Sequence, residues 1–229
     1  GVSSAAADVY KRQSEIPGDN AVYLFTDCFN RWFEPENARA AENVLRKVGY
    51  EVFDISLDDD ARPLCCGRTF LSVGMVEKAR EEARRLIDAI RPSLQSNHPV
   101  IGLEPSCLLT LRDEYSALFS KDEIKGINQS VLLFHEFMSN YLDVNSRSIT
   151  LKSLPCEQVI YHGHCHEKAF GLTSKIESVL EKIPGLYFKK VPGGCCGMAG
   201  AFGYEKEHYE ISKKISNVGP LPHIKDAGE

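Results

Sequence analysis

At 229 residues, with 43% hydrophobic and 26% charged residues, the chain can build a real core and has the length of one large or two small domains. A net charge of -5 with no Lys/Arg cluster excludes nucleic acid as a natural partner. No apolar run approaches the roughly 18 residues that a transmembrane segment needs, so membrane contact would be peripheral or through a partner.

The first segment, "SSAAADVYKRQ" (3–13), has no helical or strand pattern. It differs at one position from SSAASDVYKRQ, the translation of a common sequencing-transposon adapter. Residues 1–13 are therefore expected to be an assembly scar, with the natural protein beginning further upstream. "AVYLFTD" (21–27) predicts a buried strand and "PENARAAENVLRKVG" (35–49) a helix. Ala38, Ala41, Val44, Leu45 and Val48 share one face of it, Pro35 stands near its start and Gly49 ends it. "YEVFDIS" (50–56) predicts the next strand, and "DDDARP" (58–63) a loop with solvated aspartates. "GMVEKAREEARRLIDAI" (74–90) predicts an amphipathic helix with Met75, Val76, Ala79, Ala83, Leu86, Ile87 and Ile90 inward. "PVIGLEP" (99–105) is a strand leading to Cys107 and a helical stretch; "SVLLF" is a strand before the helix "HEFMSNYL".

From residue 157 the order restarts. "EQVIYHGHC" predicts a strand, "EKAFGLTSKIESVLEKI" a helix, "GLYFKKV" a strand and "YEKEHYEISKKI" a helix. Strand–helix alternation implies parallel sheets with helices outside. The fold class is α/β: two related Rossmann-like units at 20–143 and 157–218, a linker at 144–156 and an irregular tail at 219–229.

Eight cysteines with no signal peptide, in a chain too long to need staples, point to metal or redox chemistry in the cytoplasm. Cys28 and Cys165 end first strands, Cys65–Cys66 and Cys195–Cys196 follow second strands, and Cys107 follows a third. All seven are expected at carboxyl ends of strands, where ligands of α/β sheets collect. Cys156 falls in the linker and reads as an ordinary residue. Neighbouring Cα atoms lie about 3.8 Å apart, and ordinary disulfides need about 4.4–6.8 Å, so a vicinal pair is a poor staple. Two thiolates on an irregular, Gly-flanked loop can face one metal cluster. Gly67 and Gly197 let the backbone approach the sulfurs, and their N–H groups can donate to an anionic cluster. Zinc would favour CxxC knuckles, which are missing here. Thiolates from separate strand ends suit an iron–sulfur cluster.

"FEPENARAAENVL", "RPLCCGRTF", "GLEPSCLLTLRDEY", "HGHCHEKA" and "CCGMAGAFGYEKEHYEIS" resemble the cysteine-rich CCG domain. That domain occurs in heterodisulfide reductase and in the iron–sulfur components of glycolate, lactate and glycerol-3-phosphate oxidases. The likeness covers about residues 21–218 and is nearest to fused enzymes that join an FAD-binding 2-hydroxyacid oxidase, a ferredoxin-like part and this tandem module. It implies iron–sulfur clusters of 4Fe–4S type, cubane or non-cubane, on Cys28, Cys65, Cys66 and Cys107 and on Cys165, Cys195 and Cys196. It also implies FAD in an upstream part, and electron flow from flavin through ferredoxin-type clusters to a quinone or other carrier. The substrate would be a D-lactate-, glycolate- or 2-hydroxyglutarate-type acid.

Two departures from the family pattern stand out. Each unit of the fuller pattern ends in CxxC, but unit one reads "EPSC", with Glu104 at the first position as oxygen ligand, supporting residue or helix cap. Cys28 stands where fused relatives do not always have cysteine, which makes it the weakest ligand of unit one. Unit two has no cysteine after Cys196, so it is expected to be cut short or altered. His162, His164 and His166 alternate and would share one strand face opposite Cys165, either supporting a cluster or capping the next helix. A Cys–His hydrolase would need an Asn or Asp orienter that is not identifiable. Arg68 would neutralise cluster charge or form a surface ion pair, and Arg112 would pair with Asp113. Other readings of the whole are disulfide reduction at a cluster, as in heterodisulfide reductase, and a zinc-stabilised interaction module. This chain alone is not expected to turn over substrate. A cytoplasmic location, with contact at the cytoplasmic membrane face, fits these partners.

Overall fold

Strand β1 (Ala21–Phe25) is buried at four of its five positions. Such a run, without polar alternation, marks a strand covered on both faces. In the computed structural model, which describes residues 18–55, 57, 62–145, 149–156 and 158–226, β1 lies at the centre of a four-stranded sheet. The adapter-like segment 1–13, residues 58–61 of the expected loop and residues 146–148 of the expected linker lie outside the described residues. β2 (Glu51–Asp54), β3 (Val100–Gly102) and β4 (Val131–Leu133) complete the sheet. Its order is β2-β1-β3-β4 and every pairing is parallel, with Val22 opposite Val52, Leu24 opposite Ile101 and Ile101 opposite Leu132.

Parallel strands need crossovers, and helices supply them. α1 (Cys28–Trp32) and α2 (Pro35–Lys47) join β1 to β2; α3 (Arg68–Ser72) and α4 (Val76–Gln95) join β2 to β3. α5 (Pro105–Arg112), α6 (Tyr115–Leu118) and α7 (Ile127–Ser130) lead to β4, and α8 (Phe134–Val144) follows it. The α4 stripe Ala79, Ala83, Leu86, Ile87 and Ile90 is fully buried. Met75 and Val76 are exposed instead, because the helix starts at Val76 rather than at Gly74. On α2, Ala41 and Leu45 face the core and Val44 does not.

The chain divides into two compact units with the boundary between Phe137 and Met138. The second holds β5 (Gln158–Tyr161) and β6 (Tyr187–Lys190), paired in parallel with Val159 opposite Phe188. Four expectations change here. The strand expected over 157–165 stops at Tyr161, and α9 (Cys165–Ala169) begins four residues later. The single helix expected from 167 to 183 is broken at Gly171 (φ 69°), and α10 (Thr173–Glu181) restarts after it. The helix expected from Tyr204 begins only at Tyr209, after a 3-10 turn at Phe202–Tyr204, as α11 (Tyr209–Val218), and the tail carries a further helix, α12 (Leu221–Lys225), led by Pro220 and Pro222. Proline suits the first helical turn, where its missing N–H would have no partner in any case.

The core of the four-stranded sheet should carry most of the stability of its unit. Leu86→Ala removes a side chain with no exposed surface. It should cost about 2–5 kcal/mol, read by urea unfolding followed with far-UV circular dichroism.

Candidate metal centre

Cys28, Cys107 and Cys165 each lie just past a strand, in the first turn of a capped helix. Asp27 caps α1: Oδ1 accepts the N–H groups of Phe29 (2.9 Å) and Asn30 (3.1 Å), and Oδ2 accepts Asn30 Nδ2 (2.7 Å). Cys28 is therefore the first residue of α1 and not the end of β1. Glu104 caps α5, its Oε1 accepting Ser106 N–H at 3.1 Å, and Cys107 follows within that turn. Its capping role is thus the one the structure displays. His164 caps α9: its Nδ1 accepts His166 N–H at 3.1 Å, and Glu167 Oε2 accepts His164 N–H at 3.2 Å. This reciprocal capping box replaces the strand face on which the three histidines were expected. Only His162 directly follows the strand.

The vicinal pairs repeat one local design. Gly67 has φ 80° and donates its N–H to Cys65 Sγ at 3.4 Å. Gly197 has φ 90° and donates to Cys195 Sγ at 3.3 Å. A Cβ on Gly67 would sit 2.7 Å from the Ala79 carbonyl oxygen in α4. One on Gly197 would meet the Ser212 carbonyl oxygen in α11. Positive φ and the close approach together leave room for glycine alone.

In unit one the loop is clamped from two sides. Arg85 donates from Nη2 to the Arg62 carbonyl (2.8 Å) and from Nη1 to Glu82 (2.7 Å), while Glu82 also binds Arg62. The buried Tyr115 hydroxyl donates to the Cys66 carbonyl at 3.0 Å. Tyr115 closes the stretch "GLEPSCLLTLRDEY" but nothing in that stretch singles it out, and no motif marks the Arg85–Glu82 pair.

Cys28, Cys65, Cys66 and Cys107 come together as a chain of thiol contacts, Cys28 to Cys65, Cys65 to Cys66 and Cys66 to Cys107. Cys66 and Cys107 are buried, and Cys28 and Cys65 are half-buried. Hydrogen bonds from Cys28 and Cys66, with help from Gly67 N–H and Arg85, pull Cys65 well below the ordinary thiol range. Donation to Cys65, then burial, pushes Cys28 up. Contacts with Cys107 and Cys65, with burial, push Cys66 up. One thiolate is thus shared by a set of protonated neighbours. In unit two, Cys165 contacts Cys195 and feels the charges of Cys195 and Cys196. Burial, then the Cys195 charge, raises its pKa. Cys156 is exposed.

The donor set fits a cluster better than one ion. Thiolates around a single zinc, at about 2.3 Å each, lie about 3.8 Å apart. Among the described residues, no three of these sulfurs lie within 4.8 Å of one another. A cavity of 380 Å³ opens beside α1 and α5, lined by Asn30, Asn37, Ala40, Leu103, Glu104 and Phe134 among others, and none of the thiols lines it.

The cationic expectations resolve differently. Arg68 pairs with Glu114. Arg112 does not pair with Asp113: its Nη1 donates to Glu136 at 2.8 and 3.0 Å, and Glu136 Oε2 also accepts Leu133 N–H at 2.9 Å. Asp113 is instead the C-cap that follows α5. A chain neighbour could not reach the position Glu136 holds beside β4.

A family model described as "Cysteine-rich domain" (CCG) matches residues 22–112 and 159–218. One of the subunits of the anaerobic glycerol-3-phosphate dehydrogenase of Escherichia coli (strain K12) is 32% identical over 195 residues, 85% of this chain and 47% of that protein. Lactate utilization protein A of Bacillus subtilis (strain 168) is 27% identical over 189 residues, 79% of this chain and 74% of the relative. D-2-hydroxyglutarate dehydrogenase of Escherichia coli (strain K12) is 22% identical over 196 residues, 85% of this chain and 18% of the relative. The chain thus spans about half the length of the first relative.

Two outcomes are expected for the thiol loop. Gly67→Ala should lower the stability of unit one by about 1–3 kcal/mol in urea unfolding, because α4 must yield at Ala79. In the metal-free chain near neutral pH, iodoacetamide should label Cys65 before Cys66, read by peptide mass spectrometry. Cys28→Ala removes a donor to Cys65 and should move the Cys65 labelling profile to higher pH.

Proposed function

The chain belongs to the cysteine-rich CCG domain family, and on that premise we propose that it is the iron–sulfur electron-transfer module of an FAD-linked 2-hydroxyacid dehydrogenase. The observation that carries this reading is the gathering of Cys28, Cys65, Cys66 and Cys107 at one end of a parallel sheet, repeated in outline by Cys165, Cys195 and Cys196. The two CCG units are residues 20–143 and 157–218. Electrons would enter from flavin and ferredoxin-like domains of the same or an associated chain and leave to a quinone or another carrier. The names of the relatives support an acid of lactate or 2-hydroxyglutarate type, or glycerol 3-phosphate, as substrate of the whole enzyme.

An iron–sulfur cluster held by these thiolates supplies one-electron storage. The chain's own groups prepare the place. Gly67 N–H and Arg85 stabilise negative charge on Cys65. Burial of Cys66 and Cys107 keeps water from the inner side. Tyr115 and the Arg85–Glu82 pair fix the loop, so the sulfurs need not rearrange as charge changes. In unit one, relay suits these features better than disulfide reduction, because Cys66 and Cys107 are buried. Trp32 (67% exposed) and Phe33 (74%) stand one turn beyond Cys28, and an exposed aromatic pair there suits the approach of a partner domain. Among the described residues no helix is long and apolar enough to cross a membrane. We place the module in the cytoplasm, with any membrane contact peripheral and on the cytoplasmic face.

Anaerobic reconstitution with iron and sulfide, followed by metal and sulfide analysis and EPR of the reduced protein, tests the proposal. Bound iron and sulfide with a reduced-state signal are expected, and Cys66→Ser should remove the share held by unit one. Stoichiometric zinc with neither iron nor signal would refute it.

A further inference from the structure

We propose that the cavity beside α1 and α5 binds a neutral quinone ring, held by the carboxamides of Asn30 and Asn37 between apolar walls. The inference rests on the relay reading above, which calls for an electron acceptor, and gives that acceptor a place.

The strand order β2-β1-β3-β4 takes the chain from β1 to β2 on one side, while β3 lies on the other. Open α/β sheets collect their ligands in the crevice outside the carboxyl ends of two such strands. The cavity opens there. Leu103 follows β3, Phe134 follows β4, and Asn30 stands on the helix that leaves β1. Its volume of 380 Å³ falls in the range of small-molecule sites, about 300–1,000 Å³. The thiols are close through the chain itself. Cys28 and Asn30 are two residues apart on α1, about 3 Å along the helix axis. Glu104, at the cavity wall, caps α5, and Cys107 comes three residues later. The two helices that carry Cys28 and Cys107 therefore also carry or begin at polar residues of the cavity.

The lining selects the kind of ligand. Leu103 and Phe134 give apolar walls, and Val44, left out of the core and 37% exposed, gives another. No Lys, Arg or His lines the cavity, and Glu104 adds a carboxylate. The carboxylate of a 2-hydroxyacid would meet a like charge there and no cation. The remaining polar groups are amides. Asn30 is 6% exposed, and its Nδ2 donates to Asp27 Oδ2 at 2.7 Å, while Asp27 is itself held by two N–H groups of α1. This fixes the orientation of the carboxamide and leaves a second N–H and the oxygen to address a ligand. Asn37 adds an exposed carboxamide from α2. Amide N–H groups suit carbonyl oxygens, and apolar walls suit a flat uncharged ring. A quinone joins those features to a capacity for taking up electrons.

The test uses the full chain after anaerobic reconstitution, in its oxidised form. The probe is duroquinone, whose fully substituted ring has no free carbon for a thiol to attack, and binding is measured by equilibrium dialysis. Saturable binding that D-lactate does not displace is expected. Ala40→Phe, at an exposed position of the lining, puts a ring into the space and should weaken binding about tenfold or more. Asn37→Ala should weaken it about 2- to 10-fold, as for one lost hydrogen bond. Both variants should keep their iron content and far-UV circular dichroism, because neither residue lies in the core. Absence of saturable binding, displacement by D-lactate, or unchanged binding in Ala40→Phe overturns the site. Binding that survives in Ala40→Phe and is lost in Trp32→Ala/Phe33→Ala overturns it as well, by moving the quinone to the exposed aromatic pair. Each of these results leaves the relay reading standing when iron and sulfide are bound. A chain that takes up zinc and no iron overturns both.

Discussion

The left-handed glycine behind each vicinal cysteine pair is the constraint on which the site depends. A chain leaving a parallel strand would carry two adjacent side chains to opposite sides. At Gly67 and Gly197 the backbone turns at positive φ, and its N–H points back to the first sulfur of the pair. The turn is possible because a helix lies directly against it, at Ala79 in one unit and Ser212 in the other. The helix therefore excludes every side chain but hydrogen, and the glycine in turn lets the helix approach the thiols. Loop and helix are fitted to each other, so neither can drift without moving the sulfurs.

Around that turn, polar groups settle what apolar packing leaves open. Asp27, Glu104 and His164 end their strands and start their helices by capping, and this places Cys28, Cys107 and Cys165 within the first helical turn. The same side chains thus satisfy backbone donors that would otherwise be orphaned and set the direction in which a thiol leaves the sheet. In unit one, Glu82 has a side chain only 7% exposed and is balanced by Arg85 and Arg62. A buried carboxylate is tolerable only when paired, and the pairing draws the 62–66 loop onto α4. The charges contribute position more than stability.

Much of this was legible in the chain. Strands β1 to β4 and helices α2 and α4 declare themselves through apolar runs and helical periodicity. Helices α1, α3, α6 and α7 do not, because four or five residues are too few for a period to show. The position of each cysteine was legible only to within a few residues. The sequence pattern "TDC" reads equally as a strand end or as an N-cap, and the cap wins because Asp27 reaches two N–H groups at once. The partner of Arg112 was not legible at all, since Glu136 lies 24 residues away and meets it only after β4 pairs with β3. The three histidines misled through their spacing: alternation suggests a strand, yet one side-chain nitrogen of His164 is enough to begin a helix.

The two units use the same turn in different surroundings. In unit one a four-stranded sheet with a continuous core backs the site, and two of its four thiols are buried. In unit two a two-stranded sheet backs it, Cys165 is exposed, and Cys195 and Cys196 are half-buried. Burial disfavours added negative charge, and nearby N–H donors favour it. The donors from Gly67 and Gly197 are nearly equal in length, 3.4 and 3.3 Å, so they offset each other in the comparison. What differs is exposure to solvent. Duplication of the turn therefore sets two groups of thiols in unequal surroundings, one partly buried against a four-stranded sheet and one more open to solvent beside a two-stranded one.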